Sequence, residues 1–258
     1  MSKNDWNPDL YLKFDNERIQ PSIDLVARID YNNPTKIIDI GCGPGNSTQI
    51  LYNRWHESEI IGADNSPAMI KKATDDYPNQ KWILFDAGVD NINDKFDLVF
   101  SNATIQWIPN HDKLLQRFAD LLNDSGVLAV QLPLFFDMPL GKAISEIGRQ
   151  SNWIAATQGV DNLFTINTAA YYYDHLAKYF SKIDIWTTDY HHVMESQSSI
   201  LEMIRSTGLK PYLERLADDN KKQQFESLVL DKIKQDYPLQ NNGKVLFSFK
   251  RLFFVAKK

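Results

Sequence analysis

The apolar run Ile37-Ile38-Asp39-Ile40 ends directly on Gly41-Cys42-Gly43-Pro44-Gly45 and then enters a helical pattern at Asn46-Ser47. Three glycines in five residues allow backbone angles closed to other residues and let a ligand approach the main chain. A strand that turns through glycine into a helix opens a βαβ unit, whose strands pair in parallel and bind ligands beyond their carboxyl ends. The dinucleotide fingerprint G-x-G-x-x-G would need glycine at position 46, where Asn46 stands, so the spacing is G-x-G-x-G.

The alternation continues along the chain. Short apolar runs predict strands at 36–40, 59–63, 81–85, 96–101 and 126–132, followed by longer ones at 182–194 and 244–258. Helical spacing predicts helices at 21–29, 111–122, 168–180, 197–206 and 211–237, and Ser66-Pro67 is an N-cap followed by proline at the first helical position. The expected fold class is α/β: a doubly wound, mostly parallel seven-stranded sheet with a helical cap. It forms one domain over 1–258, with cap insertions near 134–167 and 196–240.

Composition narrows the function. At 258 residues, 43% hydrophobic and 24% charged, the chain can bury one sizeable core and a small cap. A net charge of −5 with no Lys/Arg run argues against nucleic-acid binding. The lone Cys42 has no partner for a disulfide and no base beside it in sequence, so it is expected to pack rather than react. Residues 1–10 are polar, and no apolar stretch approaches the roughly 20 residues that cross a bilayer. A cytoplasmic monomer without nucleic-acid, membrane or metal partners is expected.

A carboxylate closes the second strand: Asp64, about 20 residues past the turn, is placed to accept both hydroxyls of a ribose or is a plain loop acid. The third strand ends Phe85-Asp86-Ala87, and the fourth ends Ser101-Asn102-Ala103-Thr104-Ile105-Gln106-Trp107. Together these segments resemble the motifs of class I S-adenosylmethionine-dependent methyltransferases. The resemblance implies that Gly41, Gly43 and Gly45 cradle the methionine part of the cofactor and that Asp64, with Asn65 beside it, holds the ribose. Asp86 would accept the adenine amino group, Ala87 would offer a backbone N–H, and Asn102 would reach the methionine amino group. Met69 would pack on adenine or belong to the helix core; Gln106 and Trp107 would wall the acceptor pocket or plug the cap.

A narrower likeness, to the carboxyl O-methyltransferases of trans-aconitate, runs along nearly the whole chain. It is carried by Asp5-Trp6-Asn7-Pro8, Ser66-Pro67-Ala68-Met69, Gln106-Trp107, Ser206-Thr207-Gly208-Leu209-Lys210-Pro211, Tyr237-Pro238-Leu239-Gln240 and Arg251-Leu252-Phe253. It implies transfer of a methyl group to one carboxylate of a small polycarboxylic acid. A carboxyl of ordinary pKa, about 4, is already ionised at neutral pH, so no catalytic acid or base is assigned. The anionic acceptor needs donors. Arg251 and Lys210 are the first candidates, unless they are a snorkelling strand residue and a solvated helix end; Tyr190, His191 and Arg18 follow. Trp6, Tyr11 and Phe14 would form a flap over the cofactor or anchor the terminus. A methyltransferase for another carboxylate, such as a malonyl thioester, and a non-catalytic cofactor-binding protein are the competing readings.

Overall fold

The computed structural model describes residues 15–258, with side chains from residue 19 onward. Trp6, Tyr11, Phe14 and the Arg18 side chain lie outside the described residues.

Seven strands form one sheet: β1 (Lys36–Ile40), β2 (Glu59–Asp64), β3 (Lys81–Leu84), β4 (Phe96–Asn102), β5 (Leu122–Pro133), β6 (Lys182–Met194) and β7 (Val245–Lys257). Their order is β3-β2-β1-β4-β5-β7-β6. β1 pairs in parallel with β2 and β4, β2 with β3, and β4 with β5. The chain runs outward from β1 to β3 and then returns to lay β4 on the other side of β1, so the topological switch lies between β1 and β4. Doubly wound sheets bind their ligands at that switch. The strands flanking it are apolar almost throughout because helices cover both faces: Ile37, Ile38, Ile40, Phe96, Leu98, Val99 and Phe100 are all buried.

The helices are α1 (Asp15–Arg28), α2 (Asn46–Arg54), α3 (Pro67–Asp76), α4 (His111–Leu121), α5 (Pro139–Gly148), α6 (Ile154–Thr157), α7 (Ala169–Leu176), α8 (Gln197–Arg205), α9 (Lys210–Leu213) and α10 (Asp219–Ile233). The chain divides into two compact units. The first takes in residues up to 132, 165–187 and 252–258; the second comprises 133–164 and 188–251.

Three predicted elements differ from those observed. Residues 211–237 form two helices rather than one, because the Asp218 carboxylate caps the Lys221 N–H at 2.8 Å and starts α10 afresh. α1 begins well before Pro21, which lies inside the helix rather than at its first turn. β5 begins at Leu122 rather than 126, and the register of its pairing with β4 shifts between Phe96 and Leu98.

Candidate active site

In the first unit, the turn after β1 is held by its neighbours. The Gly41 and Cys42 N–H groups both donate to the Ala63 carbonyl at the end of β2, at 2.7 and 3.1 Å. Gly41, Gly43 and Gly45 have φ of 76°, 55° and 104°, the left-handed region that side chains resist. A Cβ on Gly41 would fall 2.0 Å from Thr104 Oγ1, whereas one on Gly43 would find no heavy atom within 4 Å. The turn is thus packed tightly on one side and open on the other.

Acids lie at or near the carboxyl ends of β1, β2 and β3. Asp64 Oδ2 accepts from the Gly43 N–H at 3.0 Å and Oδ1 from the Ser66 N–H at 2.8 Å, which fixes the carboxylate between the turn and the first turn of α3. Each carboxylate oxygen has two acceptor sites, so the geometry is compatible with further hydroxyl donors. Asp86 lies just past β3, where its Oδ1 accepts from the Gly88 N–H at 2.9 Å. Asp39 lies within β1 itself, and its Oδ2 accepts from the Ser47 and Thr48 hydroxyls at 2.6 and 2.7 Å, tying α2 back to the strand. Asn65 is exposed, whereas Met69 is buried in α3. Cys42 is buried as well, and burial pushes its thiol well above the ordinary value, which opposes a nucleophilic role.

Asp39 was not among the residues singled out from sequence, although an acid inside an otherwise apolar strand is itself a signal. It is fully buried, and burial pushes its carboxyl up to about 6, against the lowering effect of its two hydroxyl donors. Ionisation therefore opposes folding of the unliganded protein: the contribution is intact below about pH 4 and is lost as pH rises through the folded-state value. Asp39→Asn keeps an acceptor for the hydroxyls and removes the charge. By urea denaturation, the stability gap between this variant and the parent is expected to shift in the variant's favour by on the order of 3 kcal/mol between pH 4 and 7. A gap independent of pH would contradict the burial of a titrating acid there.

The segment after β4 is tied down by several hydrogen bonds. Ala103 has φ of 53°, rare for a residue with a side chain. Its N–H donates to the Gln131 carbonyl at 2.9 Å, and Thr104 Oγ1 lies 3.0 Å from the Asn102 carbonyl. His111, 1% exposed, places Nε2 2.8 Å from the Ile105 carbonyl and Nδ1 2.8 Å from the Tyr172 hydroxyl. A carbonyl only accepts, so Nε2 carries the proton and Tyr172 donates to Nδ1. Burial lowers the His111 pKa and keeps the ring neutral, as that pattern requires. Gln106 is buried and Trp107 half-buried on this segment.

In the second unit, Arg251 is 4% exposed, the one Lys or Arg among the described residues buried to that degree. Its guanidinium lies 4.4 Å from the Phe249 ring centre. His192 packs on Phe249 at 6.2 Å and stacks with Tyr190 at 6.3 Å and 6°. Burial, then the charges of Arg251 and His191, depress the His192 pKa to about 4, so its ring is neutral at physiological pH. The structure brings together Tyr190, His192 and Arg251, and sets His191 apart: it is exposed, because successive strand side chains face opposite ways. Lys210 is half-buried at the start of α9, with Nζ 3.6 Å from Glu214.

Comparison with known proteins supplies the relatives. The profile of a family described as a methyltransferase domain matches residues 11–214. The chain is 39% identical over 254 residues to a trans-aconitate 2-methyltransferase of Escherichia coli O157:H7, covering 98% of each chain. It is 38% identical, at the same coverage, to the enzyme of that name from Shigella flexneri. Among solved structures, it resembles the YcgJ protein of Bacillus subtilis with a TM-score of 0.60 at 14% identity, covering 93% of this chain and 98% of that one. It also resembles phosphoethanolamine N-methyltransferase 2 of Haemonchus contortus, solved with S-adenosylhomocysteine, with a TM-score of 0.57 at 16% identity over 93% of this chain and 52% of that one. At those identities the structures speak to the fold alone.

Proposed function

Because the chain belongs to the methyltransferase family, among the trans-aconitate 2-methyltransferases, we propose that it esterifies one carboxylate of trans-aconitate with a methyl group from S-adenosylmethionine. The observation that carries this reading is 39% identity running through 98% of both chains, since a shared cofactor fold alone would not keep the second unit alike.

The residues fit the cofactor. Gly43 leaves open room beside the main chain, and carboxylates at or near the ends of three adjacent strands suit a ligand bearing an ammonium and a sulfonium. Asp64 is assigned to the ribose hydroxyls, Asp86 and the Ala87 N–H to adenine, and Asn102 to the methionine amino group. S-adenosylmethionine, when bound, supplies a methyl group already activated on its sulfonium.

What remains for the protein is binding, alignment and exclusion of water. The acceptor carboxylate is ionised at neutral pH, so no side chain has to remove a proton. Arg251, Tyr190 and Lys210 are assigned to the acceptor's carboxylates; the neutral His192 accompanies Arg251, and His191 is left out because it faces away. A monomeric protein working in the cytoplasm on a small diffusible acid completes the reading; among the described residues no helix is long and apolar enough to cross a membrane.

The test is methyl transfer from labelled cofactor to trans-aconitate, cis-aconitate, isocitrate and a malonyl thioester. A labelled monomethyl ester from trans-aconitate is expected. Labelling of the thioester alone would reassign the acceptor, and cofactor binding without transfer to any of the four would reduce the chain to a binding protein.

A further inference from the structure

Gln106 is 4% exposed, and its Nε2 donates to the Ala103 carbonyl at 2.6 Å. That bond fixes the amide's orientation, since a flipped amide would set its oxygen against a carbonyl oxygen. What Gln106 has left to offer is an acceptor, and its Oε1 is buried with no hydrogen-bond partner. Two further oxygens of the first unit share this condition: Asn102 Oδ1 and Asp39 Oδ1 are likewise buried and unpartnered. Asp39 is in register with Phe100, two residues before Asn102, so Asp39 and Asn102 project from one face of the sheet at the switch between β1 and β4.

Buried polar atoms are almost always paired, and unpaired ones call for an explanation. These three are all oxygens. A polycarboxylate acceptor has nothing to give them and would be repelled, whereas an ammonium carries three N–H donors. We infer that the Gln106 carbonyl accepts a hydrogen bond from the α-ammonium of the cofactor's methionine moiety, beside Asn102. Gln106 thereby belongs to the cofactor site rather than to the wall of the acceptor pocket. The inference rests on the S-adenosylmethionine reading. The surrounding bonds support it: the Thr165 N–H donates to the Gln106 carbonyl at 2.8 Å and His111 Nε2 to that of Ile105 at 2.8 Å, so the side chain is aimed by a fixed backbone.

Calorimetric titration of the full-length protein tests it with three ligands: S-adenosylhomocysteine, its deaminated analogue carrying a 4-thiobutyrate chain, and 5′-methylthioadenosine, which lacks the amino-acid part. Gln106→Met is expected to weaken S-adenosylhomocysteine binding about tenfold or more, the worth of one charge-assisted hydrogen bond. The other two ligands should bind both proteins within about twofold, which also shows that the variant is folded, and the apparent KM for trans-aconitate should stay unchanged. Gln106→Asn, which withdraws the carbonyl by one methylene, should repeat the selective loss. Unchanged S-adenosylhomocysteine affinity, equal losses for all three ligands, or a raised trans-aconitate KM alone would each overturn the assignment. Failure of the parent protein to bind S-adenosylhomocysteine would instead overturn the proposed function.

Discussion

Asp64→Ala is expected to raise the dissociation constant for S-adenosylmethionine at least about a hundredfold while leaving the protein folded. Two hydroxyl hydrogen bonds to one carboxylate contribute about 1.5–3 kcal/mol each, and every 1.4 kcal/mol is a factor of about ten. The same side chain also accepts from the Gly43 and Ser66 N–H groups, so the variant loosens the glycine turn and the start of α3. Those bonds are charge-assisted as well, roughly 1.5–3 kcal/mol each, so the variant is expected to be less stable but still folded within the 5–15 kcal/mol or so of a typical domain. Calorimetric titration together with a thermal melt separates the two effects. Affinity within a few-fold of the parent would remove Asp64 from the ribose, and an unfolded variant would make it a structural linchpin of the turn. Asp64→Asn, with the charge gone and the shape kept, should fall between parent and alanine.

Arg251→Met is expected to lower kcat/KM for trans-aconitate at least about a hundredfold with the cofactor's dissociation constant unchanged. A guanidinium facing a carboxylate makes two charge-assisted bonds, and in a desolvated setting both count fully. Methionine keeps most of the packing against Phe249, where the guanidinium lies 4.4 Å from the ring centre. A thermal melt accompanies the titration, so that a loss of folding is told apart from a loss of acceptor binding. Arg251→Lys, which keeps the charge and loses the planar fork, should recover part of the activity. Equal loss of cofactor and acceptor binding would contradict the assignment to the acceptor. The neighbouring His192 offers a second readout: with the positive charge gone, one cause of its depressed pKa is removed, and its ring should titrate above the parent's value of about 4 in an NMR titration.

The cluster around Arg251 in the second unit was less legible in the sequence than the glycine turn and the acids of the first. The glycine turn and the acids at Asp64 and Asp86 follow strands whose apolar runs are themselves readable, so their place in the fold was deducible by counting. Tyr190 and His191 were chosen as a pair, whereas β6 aligns Tyr190 with His192 and turns His191 to solvent. The alternation of a strand could have made that choice without coordinates. Asp39 also had a signal, a charge in the middle of an apolar run, that was passed over. The break between α9 and α10 was not visible in periodicity, because one capping carboxylate, Asp218, overrides a helical pattern on either side.

By itself the sequence determined the α/β class, the strand-turn-helix cradle and the acids closing the strands, because these depend on residues a few positions apart: side-chain period, glycine angles and helix caps are local. Tertiary structure alone decided which groups lose water and which partners they meet. Thr104 lies against Gly41 although 63 positions separate them, and Tyr172 reaches His111 across 61. Such long-range neighbours desolvate Asp39 and Gln106 and hold His111 neutral. Burial and hydrogen-bond pairing are properties of the packed chain, and no window of sequence contains the atoms that set them.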